Sequence, residues 1–173
     1  HAPLDVEVLD DDLFPFQKEK VPVARFLCNK TGKTFSLLPN QLIPYCQYTV
    51  ESMIGTLLKV YHFQTIGQKG YYAASLELSP DCSVTPYLIE TWAMLVLYGF
   101  MRGHHVLHTK YPFSVWQNPD PGKVIETIHI YLQRISRVDC SMLQSAIQAI
   151  RYFFHKTQKF LFGKTSGERS RAP

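Results

Sequence analysis

The sequence predicts a mainly α-helical protein with a helix-turn-helix-like domain and a small N-terminal β-hairpin. Three observations carry this. Val50, Ile54, Leu57, Leu58 and Tyr61 recur at helical spacing, as do Val124, Ile128, Tyr131, Leu132 and Ile135. In "VTPYLIETW", Thr85 precedes a proline at the first helical position, the arrangement that opens helices. "VPVARFLC", "NKTGK" and "TFSLL" read as strand, turn and strand.

In chain order, residues 1–20 read as an acidic, loosely ordered arm with Asp5, Glu7, Asp10, Asp11, Asp12 and Glu19. Residues 21–45 form the hairpin and its connector. Val21 and Val23 favour a strand, Gly32 suits the turn, and "PNQLIPY" is a proline-bounded link. The helical domain spans 46–163. Thr49 caps its first helix, with Glu51 in the first turn, and Gly67 and Gly70 end it. "YYAASLEL" is a short second helix. The third runs from Pro86 to about Arg102 and is apolar nearly all round, which predicts a place in the centre of the core. Residues 49–102 thus make up the helix-turn-helix-like unit. A proline-rich loop with Pro112, Pro119 and Pro121 comes next, then a helix from Lys123 to Arg137. Asp139 or Ser141 caps a last helix that reaches about Phe162, and 164–173 is a polar tail.

The chain has 173 residues, 46% hydrophobic and 18% charged, enough apolar material for a core and unlike a disordered chain. The longest apolar run, near Ala93–Met101, is far shorter than the roughly 20 residues of a membrane span. The first residues lack the basic-then-apolar order of a secretory signal, and His1 in place of Met reads as a processing remnant or an artificial start. Cys28, Cys46, Cys82 and Cys140 have no CxxC spacing and read as reduced, mostly buried thiols of a cytoplasmic protein.

Charge is uneven. Net charge is +4, acids crowd the beginning, and Arg134, Arg137, Arg151, Lys156, Lys159, Lys164, Arg169 and Arg171 dominate the end. A nucleic-acid surface in the C-terminal half is compatible with this, as are solvated helix faces. Catalytic patterns are missing. His104 and His108 are four residues apart, but "GHHVLH" lacks the glutamate of HExxH. Asp10, Asp11 and Asp12 are adjacent and do not converge on a cation in an extended arm. There is no Walker loop, GxSxG or GxGxxG, and too few carboxylates follow Glu90 for a three-carboxylate nuclease. The expectation is a non-enzymatic protein with no cofactor.

Arg25–Tyr45 adds an ancestry. Cys28, Gly32, Thr34, Phe35, Ser36, Leu38 and Pro39, then Pro44-Tyr45, Tyr48-Thr49, Thr85 and Trp92 fall in a recurrent order. The chain resembles small bacterial transposase-like, insertion-sequence-associated helix-turn-helix proteins, whose N-terminal knuckle carries CxxC. The tail "KFLFGKTSGERS" is similar as well. The resemblance implies a DNA-associated accessory protein of a mobile element, with a transposase or another protein as a further partner. Two departures shape the expectation. Thr31 replaces the second knuckle cysteine, so the ribbon is degenerate: no metal is expected, and apolar contacts of Phe26, Leu27 and Phe35 hold the hairpin. Pro86–Met101 offers only Glu90 as a charge, so base readout by this helix is not expected. The candidate DNA contacts are instead Lys30 and Lys33 on the hairpin turn, Arg151, Lys156 and Lys159 near the last helix, and Lys164, Arg169 and Arg171 in the tail. The alternative is a protein–protein adaptor that has lost zinc and DNA binding, with its aromatic surplus coating an interface.

Overall fold

A computed structural model describes residues 2–9, 16–37, 48–78, 83–112 and 120–162. The acidic run Asp10–Asp12, the connector Pro39–Tyr45, Cys46, Cys82, the loop stretch 113–119 and the tail 164–173 lie outside the described residues.

Among the described residues, five α-helices make the body: α1 (Val50–Thr65), α2 (Gly70–Glu77), α3 (Pro86–Leu107), α4 (Val124–Ile135) and α5 (Met142–Thr157). The expected caps are in place. Thr49 Oγ1 accepts from the Ser52 N–H at 3.1 Å and Thr85 Oγ1 from the Leu88 N–H at 3.2 Å. Of the two candidates for α5, Ser141 is the cap. Its hydroxyl accepts from the Gln144 N–H at 3.1 Å, and Gln144 Oε1 accepts from the Ser141 N–H at 3.2 Å, a reciprocal box that satisfies two otherwise orphaned donors.

α3 touches α1, α2, α4 and α5, so it is central as its composition predicts. It is not buried all round. Ile89, Trp92, Ala93, Val96, Phe100 and Leu107 face the core, whereas Tyr87, Glu90, Thr91, Tyr98, Arg102 and His105 form an exposed stripe. α3 also runs past Arg102 to Leu107, since Gly103 is packed and nothing else before Leu107 breaks the helix. Gly67 ends α1, but Gly70 begins α2 rather than closing its predecessor. α4 closes at Ile135, two residues short of Arg137.

α5 stops at Thr157 instead of reaching Phe162. Gln158 takes φ +56°, a left-handed cap, and its N–H donates to the Phe154 carbonyl at 2.7 Å. The chain then returns to the core, burying Leu161 and Phe162. They fill the space over two α3 glycines. A Cβ at Gly99 would overlap the Phe162 ring, and one at Gly103 would overlap Leu161 Cδ1. The Phe100 ring stacks on Tyr131 at 4.6 Å and meets Phe162 edge-on at 5.7 Å, joining α3, α4 and the returning segment.

The N-terminal region departs from the expected arm. Ala2–Leu9 is a strand, β1, antiparallel to β2 (Phe16–Leu27). The signal is the two-residue alternation of Leu4, Val6 and Val8 with Asp5 and Glu7, which the neighbouring aspartate run obscures. The expected hairpin pairs β2 with β3 (Thr34–Leu37), with Leu27 opposite Thr34 and Phe26 opposite Phe35. β2 is thus shared lengthwise: Phe16–Val23 pairs with β1 and Ala24–Leu27 with β3. β1 lies against α1. No described helix is long and apolar enough to cross a membrane.

Two substitutions test the packing. Gly99→Ala forces Phe162 from its place and lowers the unfolding free energy by about 1–3 kcal/mol in urea titrations. Ser141→Ala removes one cap, costs about 1 kcal/mol, and leaves the helix content of the folded protein unchanged by circular dichroism.

Candidate nucleic-acid interface

The last helix has a simple electrostatic character. Between Cys140 and Phe162 there is no aspartate or glutamate, while Arg151, Lys156 and Lys159 carry positive charge. Ser145, Ala146, Ala149 and Phe153 are buried, which fixes the roll of α5 about its axis. The opposite side is exposed: Gln144, Gln148, Arg151 and His155 succeed one another at spacings of four, three and four residues. Arg151 and Lys156 thus sit on one helix but not on one line. Arg151 belongs to the outward stripe, and Lys156 to its flank beside Tyr152.

That flank is a cluster of residues distant in sequence. Lys110, just beyond α3, places its Nζ 4.8 Å from the centre of the Tyr152 ring and 5.5 Å from that of Tyr111. Lys156 Nζ lies 5.8 Å from the Tyr152 ring. Two ammonium groups therefore lie within cation–π reach of one tyrosine ring, which favours both charges. The Thr109 and Tyr152 hydroxyls are 2.9 Å apart, joining the end of α3 to α5. Among the described residues, neither lysine nor Arg151 has a carboxylate within ion-pair distance; the ion pairs found there are Lys59–Glu77 at 2.6 Å and Lys123–Glu126 at 3.7 Å. Tyr111 is buried with its hydroxyl unpartnered among the described residues, and burial pushes its pKa up.

Lys30 and Lys33 occupy the β2–β3 turn and are exposed. The turn closes through the Cys28 N–H donating to the Lys33 carbonyl at 2.9 Å, with Gly32 at φ +64°. Thr31, three residues after Cys28, makes hydrogen bonds of its own. Its hydroxyl and the Thr31 and Lys30 backbone hold the Cys28 thiol below its ordinary pKa, and its Oγ1 accepts from the Lys33 N–H at 3.4 Å. The sheet packs on the helical body chiefly through β1 and α1, so these lysines form a second basic point rather than an extension of α5. Lys159 is exposed just past α5, while Lys164, Arg169 and Arg171 lie outside the described residues. Lys110 and Tyr152 were not foreseeable as a pair, because their contact spans 42 positions and no local spacing encodes it. The acid-free run around Tyr152 is visible in sequence.

The histidines His104, His105 and His108 sit at the C-terminal end of α3. The His104 and His108 rings are 5.6 Å apart and His104 Nδ1 is 3.4 Å from the Tyr131 hydroxyl. No cluster of three or more His, Cys, Asp or Glu suited to a metal occurs among the described residues. Burial lowers the His104 pKa, with His108 and His105 adding to the effect; burial alone lowers that of His129, which stacks on Tyr61 at 3.6 Å.

The apolar contacts expected to hold the hairpin are partly present. Phe26 and Phe35 stack at 5.4 Å, but Phe26 is 43% and Phe35 52% exposed, and Leu27 and Leu37 are exposed too. Register places Phe26, Phe35 and Leu37 on one face, leaving an open apolar surface. No family model matches the chain, and no curated protein or solved structure matches it either.

The two depressed histidines predict a pH dependence. In the unfolded chain they titrate near pH 6.5, in the folded chain lower, so the unfolded state binds the extra protons. Their contribution to stability is complete above about pH 6.5 and is lost as pH falls below it. Urea unfolding between pH 7.5 and pH 5.5 shows a decline that His104→Asn together with His129→Phe reduces.

Proposed function

We propose that this chain is a non-catalytic, DNA-associated accessory or regulatory protein of a mobile element. The observation that carries the reading is the acid-free face of α5, where exposed Arg151 and the Tyr152-linked lysines Lys110 and Lys156 have no carboxylate partner among the described residues. Cations left unpaired on a fixed surface suit phosphate, whose counterions they displace. Lys159 adds to the charge near the end of α5, Lys30 and Lys33 offer a separate basic point, and Lys164, Arg169 and Arg171 add positive charge to the sequence of the tail. The link to a mobile element is supported by the resemblance of Arg25–Tyr45, with a transposase as the companion protein.

Gel retardation against salt tests this. Binding to duplex DNA appears at low salt, and log K falls linearly with log salt. Lys110→Ala and Lys156→Ala each weaken binding to every duplex alike and lower the slope by about one. Absence of retardation on duplex and single-stranded DNA at low salt overturns the reading.

A second reading is favoured by one observation, the exposed face of Phe26, Phe35 and Leu37. On this reading the chain is an adaptor that docks another protein on its hairpin. A photo-crosslinking residue at Phe35 then gives one discrete protein adduct in cells, which Phe26→Ser removes. Diffuse labelling that Phe26→Ser leaves unchanged counts against it.

A further inference from the structure

We propose that α5, and not α3, is the helix that reads bases, laying Gln144, Gln148, Arg151 and His155 in the major groove of duplex DNA. This rests on the DNA-binding reading and adds the element and the mode of contact. Four features of the stripe point to it.

The first is chemical. Glutamine pairs in two-point fashion with adenine N6 and N7, and arginine with guanine O6 and N7. A histidine ring N–H can donate to a purine N7. Each outward residue of α5 is thus a base-edge partner, with no apolar or acidic residue among them.

The second is availability. No described side-chain hydrogen bond or ion pair engages Gln148 or Arg151. Gln144 has its Oε1 occupied by the Ser141 N–H at 3.2 Å. Its amide NH2 is left to donate, so it favours an acceptor such as N7 and is already oriented by the cap.

The third is geometric. Gln144 to His155 covers 11 helical steps, about 16 Å along the axis. An α-helix fits the roughly 12 Å wide major groove, so this stripe can face several successive base pairs. α4 packs against α5 across the short link 136–141, forming a two-helix unit whose second helix faces outward. Lys110 and Lys156 sit on the flank of the stripe, where a groove wall presents phosphate.

The fourth is the contrast with α3. Its outward stripe presents Tyr87, Glu90, Thr91 and Tyr98 before Arg102. The carboxylate opposes close approach to phosphate, and α3 carries no asparagine or glutamine to pair with a base edge.

The test uses the full chain and a pool of randomised duplexes, then affinities for the selected site and a scrambled one at fixed salt. Selection enriches a short site containing guanine. Arg151→Ala weakens binding to that site by roughly five- to a hundredfold and relaxes preference at one base pair, with a clearly smaller loss on scrambled duplex, where only its charge counts. Gln148→Ala acts similarly at a neighbouring adenine, and Tyr98→Ala on α3 leaves the preference intact. Because these side chains are exposed, circular dichroism of the variants stays native. Selection without enrichment, or equal loss on both duplexes for Arg151→Ala, overturns the inference and leaves phosphate binding standing. Loss of preference with Tyr98→Ala but not with the α5 variants assigns readout to α3 and overturns it as well. A chain that retards no DNA at low salt sinks both readings.

Discussion

On α3, Gly99 and Gly103 leave a notch one turn long, and Leu161 and Phe162 fill it. The setting of α5 depends on this close approach. The chain can reach the notch only because α5 stops at Thr157 and Gln158 turns left-handed. Any side chain beyond hydrogen at either glycine collides with the returning segment. With its C-terminal end tied to α3 and its N-terminal part held to the α4–α5 link by the Arg137 N–H, which donates to Ser145 Oγ at 3.2 Å, α5 has one roll angle. That angle buries Ser145, Ala146, Ala149 and Phe153 and turns Gln144, Gln148, Arg151 and His155 outward. Packing of a few apolar groups thereby determines which polar groups meet solvent.

Electrostatics then separates the two exposed helix stripes. A duplex surface is a dense array of negative charge, so a lone carboxylate on an approaching helix is unfavourable and an unpaired cation favourable. α3 carries Glu90 outward among tyrosines, whereas α5 carries no acid and is flanked by Lys110 and Lys156. Both lysines lie within cation–π distance of the Tyr152 ring, which favours each charge without an acidic partner. The hairpin differs again. Its Phe26–Phe35 stack is too exposed to serve only as internal glue, which is why it supports the adaptor reading.

Much of the fold was legible because it is encoded locally. Thr49 and Thr85 announce helix starts through side-chain oxygens that reach a backbone N–H within three residues, and the structure shows those bonds. The β2–β3 pairing could be read from the Gly32 turn between two alternating runs. What failed was encoded elsewhere. The end of α5 is set by Gly99 and Gly103, nearly sixty residues earlier, and an apolar tail such as "FLF" reads as more helix until that notch is known. β1 was hidden because a run of acids suggested disorder although Leu4, Val6 and Val8 alternate beside it. At the candidate site, Arg151 and Lys156 were legible as charges on one helix, but their different bearings, and Lys110 as a neighbour of Tyr152, depend on tertiary packing.

If DNA is met at the outward face of α5, the side-chain amides of Gln144 and Gln148 and the guanidinium of Arg151 must sense it first. Nuclear magnetic resonance of the labelled full chain, titrated with duplex DNA at low salt, reads those groups directly. Their signals are expected to shift together, with smaller shifts around Tyr152 and Lys156, while Tyr87, Glu90 and Tyr98 on α3 stay in place. Shifts centred on the α3 stripe, with the α5 amides unmoved, would contradict DNA binding through α5.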